Sequence, residues 1–376
     1  MGNQFKDLIL RQKEIAADWK SKGGKVMGHF CNYVPDELLH AAGILSIRIL
    51  GSPDPVTHAD AHLQSYVCKV IRSSFDMGLR GELDYLDGLI IPYTCDAMRL
   101  LYDLWEKNIE SKFLHLLDIP CLIRGDIGHT RFRDEYIKLK DALEKHLGKD
   151  ISNDALSNSI RVHNENRSLL KEIHNLRRKE PGAISCSEAY EAVLSAFISP
   201  KELHSGLLKD LLGDAKAKIG AQSAPAKPSR ARLHLSGSLV TDLKFYQMIE
   251  ECGGDVVSDD LCTGTRYYWD NVVEGDNGPF DALSDRYFYK LPCACKHPNA
   301  DRHEFIFDSV RQGDIQGVIF VMEKYCDAHL YDQPLLHEKL AKMNIPVLVI
   351  DAELSLSGQE QVRTRVETFI NILKRK

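Results

Sequence analysis

The chain has 376 residues, 44% hydrophobic and 27% charged, enough for two or three domains with cores of their own. A formal charge of −6, with Lys and Arg spread along the chain, leaves no basic footprint and argues against a nucleic-acid partner. No apolar run approaches the roughly 20 residues that cross a bilayer, so no membrane-spanning role is expected.

The N-terminal stretch MGNQFKDLILRQKEIAADWK carries charges inside its apolar pattern. It reads as an amphipathic helix rather than a secretion signal, and a cytoplasmic location is expected. There the ten cysteines point to metal or redox chemistry rather than disulfides. At least half are expected to be small buried hydrophobes.

In chain order, Lys25–Phe30 reads as a strand and Asp36–Ala42 as a helix opened by Pro35 and stopped by Gly43. Ile44–Leu50 then alternates as a second strand, completing a β-α-β unit. Ala61–Leu79 is helical by periodicity, with Cys68 at the edge of its apolar stripe. Leu86–Pro92 is a continuously apolar strand, as buried parallel strands are, and Asp96 is expected to cap the helix Ala97–Glu106. A linking helix and a strand at Ile119–Ile123 follow. From Arg131 to about Lys218 the pattern is helical, with caps at Asn153-Asp154 and Ser185-Cys186-Ser187. Lys216–Arg232, rich in Ala, Pro, Ser and Lys, reads as a linker.

A second unit repeats the order of the first. Its strands are Arg232–Leu235, Asp255–Ser258, Val318–Met322 and Val347–Ile350. Its helices are Thr241–Cys252, Asp301–Gly313, Pro334–Met343 and Gly358–Lys374, and Tyr268–Asn299 is expected to be irregular. The fold class is therefore α/β, with two doubly wound parallel-sheet domains joined by helices. The boundaries are 1–130 with Cys68 and Cys95, a helical segment 131–218, a linker 219–231, and 232–376 with Cys326.

Two stretches look like copies: Asp87–Asp96 and Gln316–Asp327, each a glycine, a β run, polar residues and Cys-Asp. Both Cys-Asp pairs fall at the carboxyl end of a parallel strand, where open sheets bind ligands. Edge-to-edge domains would bring Cys95 and Cys326 together, with Cys68 alongside. Three thiolates suit an iron–sulfur cluster or zinc, and helix N-termini would favour the thiolate forms. A cubane on three cysteines leaves one iron with a free position. Cys293-Ala-Cys295 with His297, Cys252 and Cys262 offers a zinc set of unusual spacing, or simply buried thiols. His40, His129, His234 and His297 read as structural. There is no phosphate loop, no G-x-G-x-x-G after a strand and no G-x-S-x-G elbow.

Asn32–Gly43, Leu63–Cys68 with Arg72-Ser73, the stretches Leu86–Asp96 and Tyr325–Pro334, and Asn164-Glu165-Asn166-Arg167 form an ordered series. The series resembles the 2-hydroxyacyl-CoA dehydratase and ATP-dependent benzoyl-CoA reductase family over nearly the whole chain. Within it the chain is most similar to the smaller cluster-bearing subunit of benzoyl-CoA reductases. The resemblance implies two Rossmann-like domains and a [4Fe-4S] cluster on Cys68, Cys95 and Cys326, with one iron free of cysteine. It implies a homologous cluster-bearing partner subunit and a separate ATP-hydrolysing iron–sulfur activator, in an anaerobic cell. The substrate would be an acyl-CoA: an aromatic one reduced to a cyclohexadiene carboxyl-CoA, or a 2-hydroxyacyl-CoA dehydrated through a ketyl radical. Cys31, Cys121, Cys293 and Cys295 exceed the three-cysteine pattern and leave room for a double-cubane relative that reduces small molecules.

Overall fold

The computed structural model describes residues 4–221, 230–275, 277–353 and 360–375. Helices α1 (Gln4–Leu10) and α2 (Gln12–Ser21) lead into β1 (Lys25–His29), α3 (Asp36–Ala41), β2 (Ile44–Arg48), α4 (Lys69–Leu79), β3 (Gly88–Tyr93), α5 (Asp96–Asn108) and β4 (Leu114–Asp118). Next come α6 (Gly125–Leu147), α7 (Asn153–Lys179), α8 (Cys186–Ser195) and α9 (Lys201–Ala221). The last part runs β5 (Ala231–Gly237), α10 (Leu243–Glu251), β6 (Gly254–Asp259), α11 (Thr265–Tyr268), α12 (Pro279–Tyr289), α13 (Ala300–Gln312), β7 (Gly317–Glu323), α14 (Asp327–Lys342), β8 (Val347–Ala352) and α15 (Glu360–Leu373).

The strands form two all-parallel sheets ordered β2-β1-β3-β4 and β6-β5-β7-β8, one topology used twice. This is the α/β class with two Rossmann-like sheets that the sequence pattern points to. Strand β7 shows why such strands read as unbroken apolar runs. Val318, Phe320 and Met322 face one core, with Ile306, Phe307, Leu336 and Leu340. Ile319 and Val321 face the other, with Phe245, Ile249, Val366 and Ile370. Both faces are covered, so no polar position alternates in. Each such side chain withdrawn from water contributes about 1.5–3 kcal/mol.

Several sequence-based expectations are corrected. Cys68 does not lie within a helix. A short 3-10 turn covers Ala59–Ala61, and α4 begins only at Lys69. The Asp76 carboxylate accepts hydrogen bonds from the backbone N–H groups of Thr57, His58 and Ala59, folding this loop onto α4. Leu63 and Val67 thereby pack into the same core as Ile71 and Phe75, so helical spacing is imitated by a loop.

The strand expected at Ile119–Ile123 is instead Leu114–Asp118, with no linking helix before it. Pro120 has no N–H to give a ladder, and residues 121–123 pair with His297. Asp96 is the first residue of α5 rather than its cap, and Pro334 lies inside α14. The stretch 268–299 contains α12, which starts at Pro279. Ser152 and Ser185 cap α7 and α8, Ser185 in a capping box with Glu188. Most of the expected linker, residues 222–229, and Gly358 lie outside the described residues.

Candidate functional site

In each sheet the order reverses between neighbouring strands, β1 and β3 in one, β5 and β7 in the other. A crevice opens there at the carboxyl ends. The chain leaves these ends through cysteines: Cys31 after β1, Cys95 after β3, Cys121 after β4, Cys262 after β6 and Cys326 after β7. The two carboxyl edges touch. Asn32 Nδ2 donates to the Cys262 carbonyl at 2.8 Å, and Arg48, ending β2, donates to the same carbonyl at 2.8 Å.

Cys68, Cys95 and Cys326 share one local geometry. Each is the N-cap residue of a helix, α4, α5 and α14 respectively. Each carbonyl accepts the first two helical N–H bonds, from Ile71 and Arg72, Met98 and Arg99, and His329 and Leu330. The third backbone N–H of each helix also favours the ionised thiol, as a serine cap would be favoured. Burial nevertheless outweighs it: Cys68 is pushed up to about 12, Cys95 to about 11, and Cys326 upward as well. The helix N-termini favour the thiolate forms as expected, but by less than burial opposes them. The three thiols also raise one another, Cys95 acting on Cys68, and both on Cys326. At neutral pH these thiols therefore keep their protons unless a bound cation displaces them.

Among the described residues, no three or more His, Cys, Asp or Glu side chains converge tightly enough to hold a single metal ion. A cubane asks for a wider set, since each thiolate sits on its own iron. Glu323, buried at the end of β7, lies near Cys68, and burial with Glu353 pushes its carboxyl up to about 8.

A second group of thiols lies against the first. Cys293 Sγ is 3.9 Å from His329 Nε2, one turn into α14 from Cys326, and Cys293 acts electrostatically on both Cys95 and Cys326. The Cys295 thiol hydrogen-bonds Cys293; together with Arg266 and His329 it overcomes burial and draws the Cys293 thiol down. Cys31 has the left-handed φ of 63° and is raised by burial, and Cys121 Sγ donates to the Cys295 carbonyl at 3.0 Å. The zinc set with Cys252 and His297 is not assembled. Cys252 ends α10 near Arg363 of α15, and His297 is exposed. Cys186 is buried at the start of α8. His40, His129 and His234 bond Ser159, Asp285 and Ser258, as structural histidines do.

Four buried basic side chains lie by these thiols: Arg48, Arg266, Lys290 and Lys296, each no more than 5% exposed, with burial pushing Lys290 well below the ordinary lysine value. Lys290 Nζ donates to the Asn32 carbonyl, and Lys296 Nζ to those of Ile119 and Pro120. Arg48 Nη2 lies 3.0 Å from Cys262 Sγ. Among the described residues none of the four has a carboxylate within 4.0 Å, whereas neighbouring Arg302 pairs with Asp260 and Asp332. A buried, unpaired charge costs several kcal/mol. The surplus fits a negatively charged group such as a thiolate-bound iron–sulfur cluster. No periodicity marks these cations in the sequence, because partners distant in the chain bury them, such as Cys262 for Arg48 and Ile119 for Lys296.

Comparison with known proteins gives a match to the family described as 2-hydroxyglutaryl-CoA dehydratase, D-component, over residues 31–373. A subunit of the benzoyl-CoA reductase of Thauera aromatica is 31% identical over 368 residues, 96% of this chain and 94% of that protein. The (R)-phenyllactyl-CoA dehydratase beta subunit of Clostridium sporogenes is 24% identical, covering 99% and 98%. The (R)-2-hydroxyglutaryl-CoA dehydratase subunit beta of Acidaminococcus fermentans is 24% identical, covering 98% of each. Among the described residues no helix is long and apolar enough to cross a membrane.

Proposed function

The chain belongs to the 2-hydroxyglutaryl-CoA dehydratase D-component family, and from that premise we propose that it is the iron–sulfur subunit of an activator-driven reductase acting on an aromatic acyl-CoA. The observation that carries the reading is the threefold use of a cysteine N-cap at one crevice, Cys68 and Cys95 from the first sheet's side and Cys326 from the second's. Cys68, Cys95 and Cys326 would hold a [4Fe-4S] cluster with one iron free of cysteine. When bound, the cluster supplies low-potential single electrons. The chain's own residues would give up thiol protons and offset negative charge with Arg48, Arg266 and Lys296.

The relatives are named as subunits, which supports a homologous partner. Tyr325, Tyr331 and Leu335, exposed beside Cys326 and along α14, supply apolar area for it. The absence of a phosphate loop from the sequence fits ATP hydrolysis by a separate activator. With the division taken as 1–130, 131–218, a linker 219–231 and 232–376, the crevice would lie between the outer two units.

The test is anaerobic turnover with benzoyl-CoA and with a 2-hydroxyacyl-CoA while electrons are counted. Consumption of electrons in step with product supports reduction. Electron use far below product formation favours a dehydratase subunit, the alternative that the dehydratase relatives support. A double-cubane centre is favoured by one further observation, the placing of Cys31 and Cys293 near the first three thiols, with Cys295 on Cys293 and Cys121 on the Cys295 carbonyl. Iron analysis separates the two, a single cubane giving about four irons per chain and a double one about eight.

A further inference from the structure

Arg266 stands out among the buried cations by what it leaves unused. Its Nη2 donates to the carbonyls of Gly237 at 2.6 Å and Ser238 at 2.9 Å, the carboxyl end of β5. Its Nε and Nη1 are buried and, among the described residues, without a hydrogen-bond partner. A charged donor buried without an acceptor is costly, so two on one guanidinium mark the place of an acceptor. The anchor is rigid: Gly237 has φ of 149°, and a Cβ there would sit 2.1 Å from the Val321 carbonyl oxygen. The fork is therefore fixed at the β5/β7 crevice, following Cys262 in the chain and beside Cys293 and His329. Arg48, on the other side of Cys262, likewise keeps Nε unpartnered.

We propose that Arg266 is a positioning residue for the iron–sulfur centre: it donates Nε–H and Nη1–H to the centre's sulfur and offsets its negative charge. The proposal rests on the iron–sulfur reading above. Hydrogen bonds to cluster sulfur and nearby positive charge favour the reduced, more negative state. Arg266 therefore keeps the reduction potential from falling further, and Arg48 adds to this from the opposite side.

The experiment uses the full chain, reconstituted anaerobically with iron and sulfide, and an EPR-monitored redox titration of the wild type, Arg266→Gln and Arg266→Lys. The expected result is a midpoint potential more negative in Arg266→Gln, with Arg266→Lys between it and wild type because the charge remains and the fork is lost. Release of iron to a chelator is expected to be faster in the same order. Equal potentials in all three iron-loaded proteins overturn the proposal and leave the iron–sulfur reading standing. A wild-type chain that takes up no iron overturns the reading and the proposal together. Should Arg266→Gln fail to fold by circular dichroism, Arg266→Lys alone is compared with the wild type, and a potential no more negative than the wild type's overturns the proposal.

Discussion

Arg167 Nη1 meets Glu37 Oε1 at 2.5 Å across 130 residues of sequence, with both side chains withdrawn from water. Tyr287 of α12 donates to the other carboxylate oxygen at 2.8 Å. This junction joins α3, just beyond the Cys31 turn, to the long helix α7. Burial works to raise Glu37, but Arg167, with His163 and Arg286, outweighs it and holds the carboxyl at about 2. Arg167→Ala leaves that carboxylate buried without its partner. It is expected to destabilise the fold by about 3–5 kcal/mol, read as a lower urea midpoint. Arg167→Lys, which loses the forked geometry, is expected to fall between.

Acid should unfold the chain earlier than carboxylates alone would. Burial lowers His163, His174 and His204 to about 3 each, so the folded chain keeps them neutral while the unfolded chain protonates them near 6.5. The unfolded state thus binds more protons between about pH 6.5 and 3, and stability falls as pH drops through that window. The slope is of the order of 1.4 kcal/mol per pH unit for each histidine. Glu37, depressed in the fold, adds its loss only below about pH 4.3. Urea midpoints at pH 7, 6 and 5 should decline steadily, and a flat profile over that range would contradict the assignment. In His204→Gln the decline should be shallower.

Gly237 is required by its backbone angle and by the Val321 carbonyl oxygen that a Cβ would strike. Gly237→Ala should therefore lower stability by about 2 kcal/mol or more, seen as a lower melting temperature. A neutral result would show that β5 can shift away from β7.

Single substitutions sort the cysteines by place. Cys68→Ala, Cys95→Ala and Cys326→Ala are each expected to lower bound iron after anaerobic reconstitution, with little change in melting of the iron-free chain. Cys252→Ala, at the end of α10 beside Arg363, is expected to leave iron content unchanged. Equal iron in all four variants would remove the crevice cysteines from consideration as ligands.

The sheets were legible because both faces of strands such as β7 are buried, which makes an unbroken apolar run bounded by glycine and polar residues. Cys95 and Cys326 were legible as strand-end cysteines for the same reason. The place of Cys68 was misread because Leu63 and Val67 enter the α4 core from a loop held by Asp76. Arg48, Arg266, Lys290 and Lys296 escaped notice altogether. Arg48 is buried where Asn32 and Cys262 meet, and Lys296 against the carbonyls of Ile119 and Pro120, and nothing local in the sequence announces such meetings.

The cysteine caps also impose a schedule on how the molecule matures. Cys68 and Cys95 flank adjacent helices of the first sheet and can be brought into place soon after that part of the chain leaves the ribosome. Cys326 belongs to the second sheet and arrives only near the end of synthesis. A group that spans all three cannot template the early steps of folding. Held by all three as proposed, it would be delivered to an almost finished chain and act as a clasp between the two sheets.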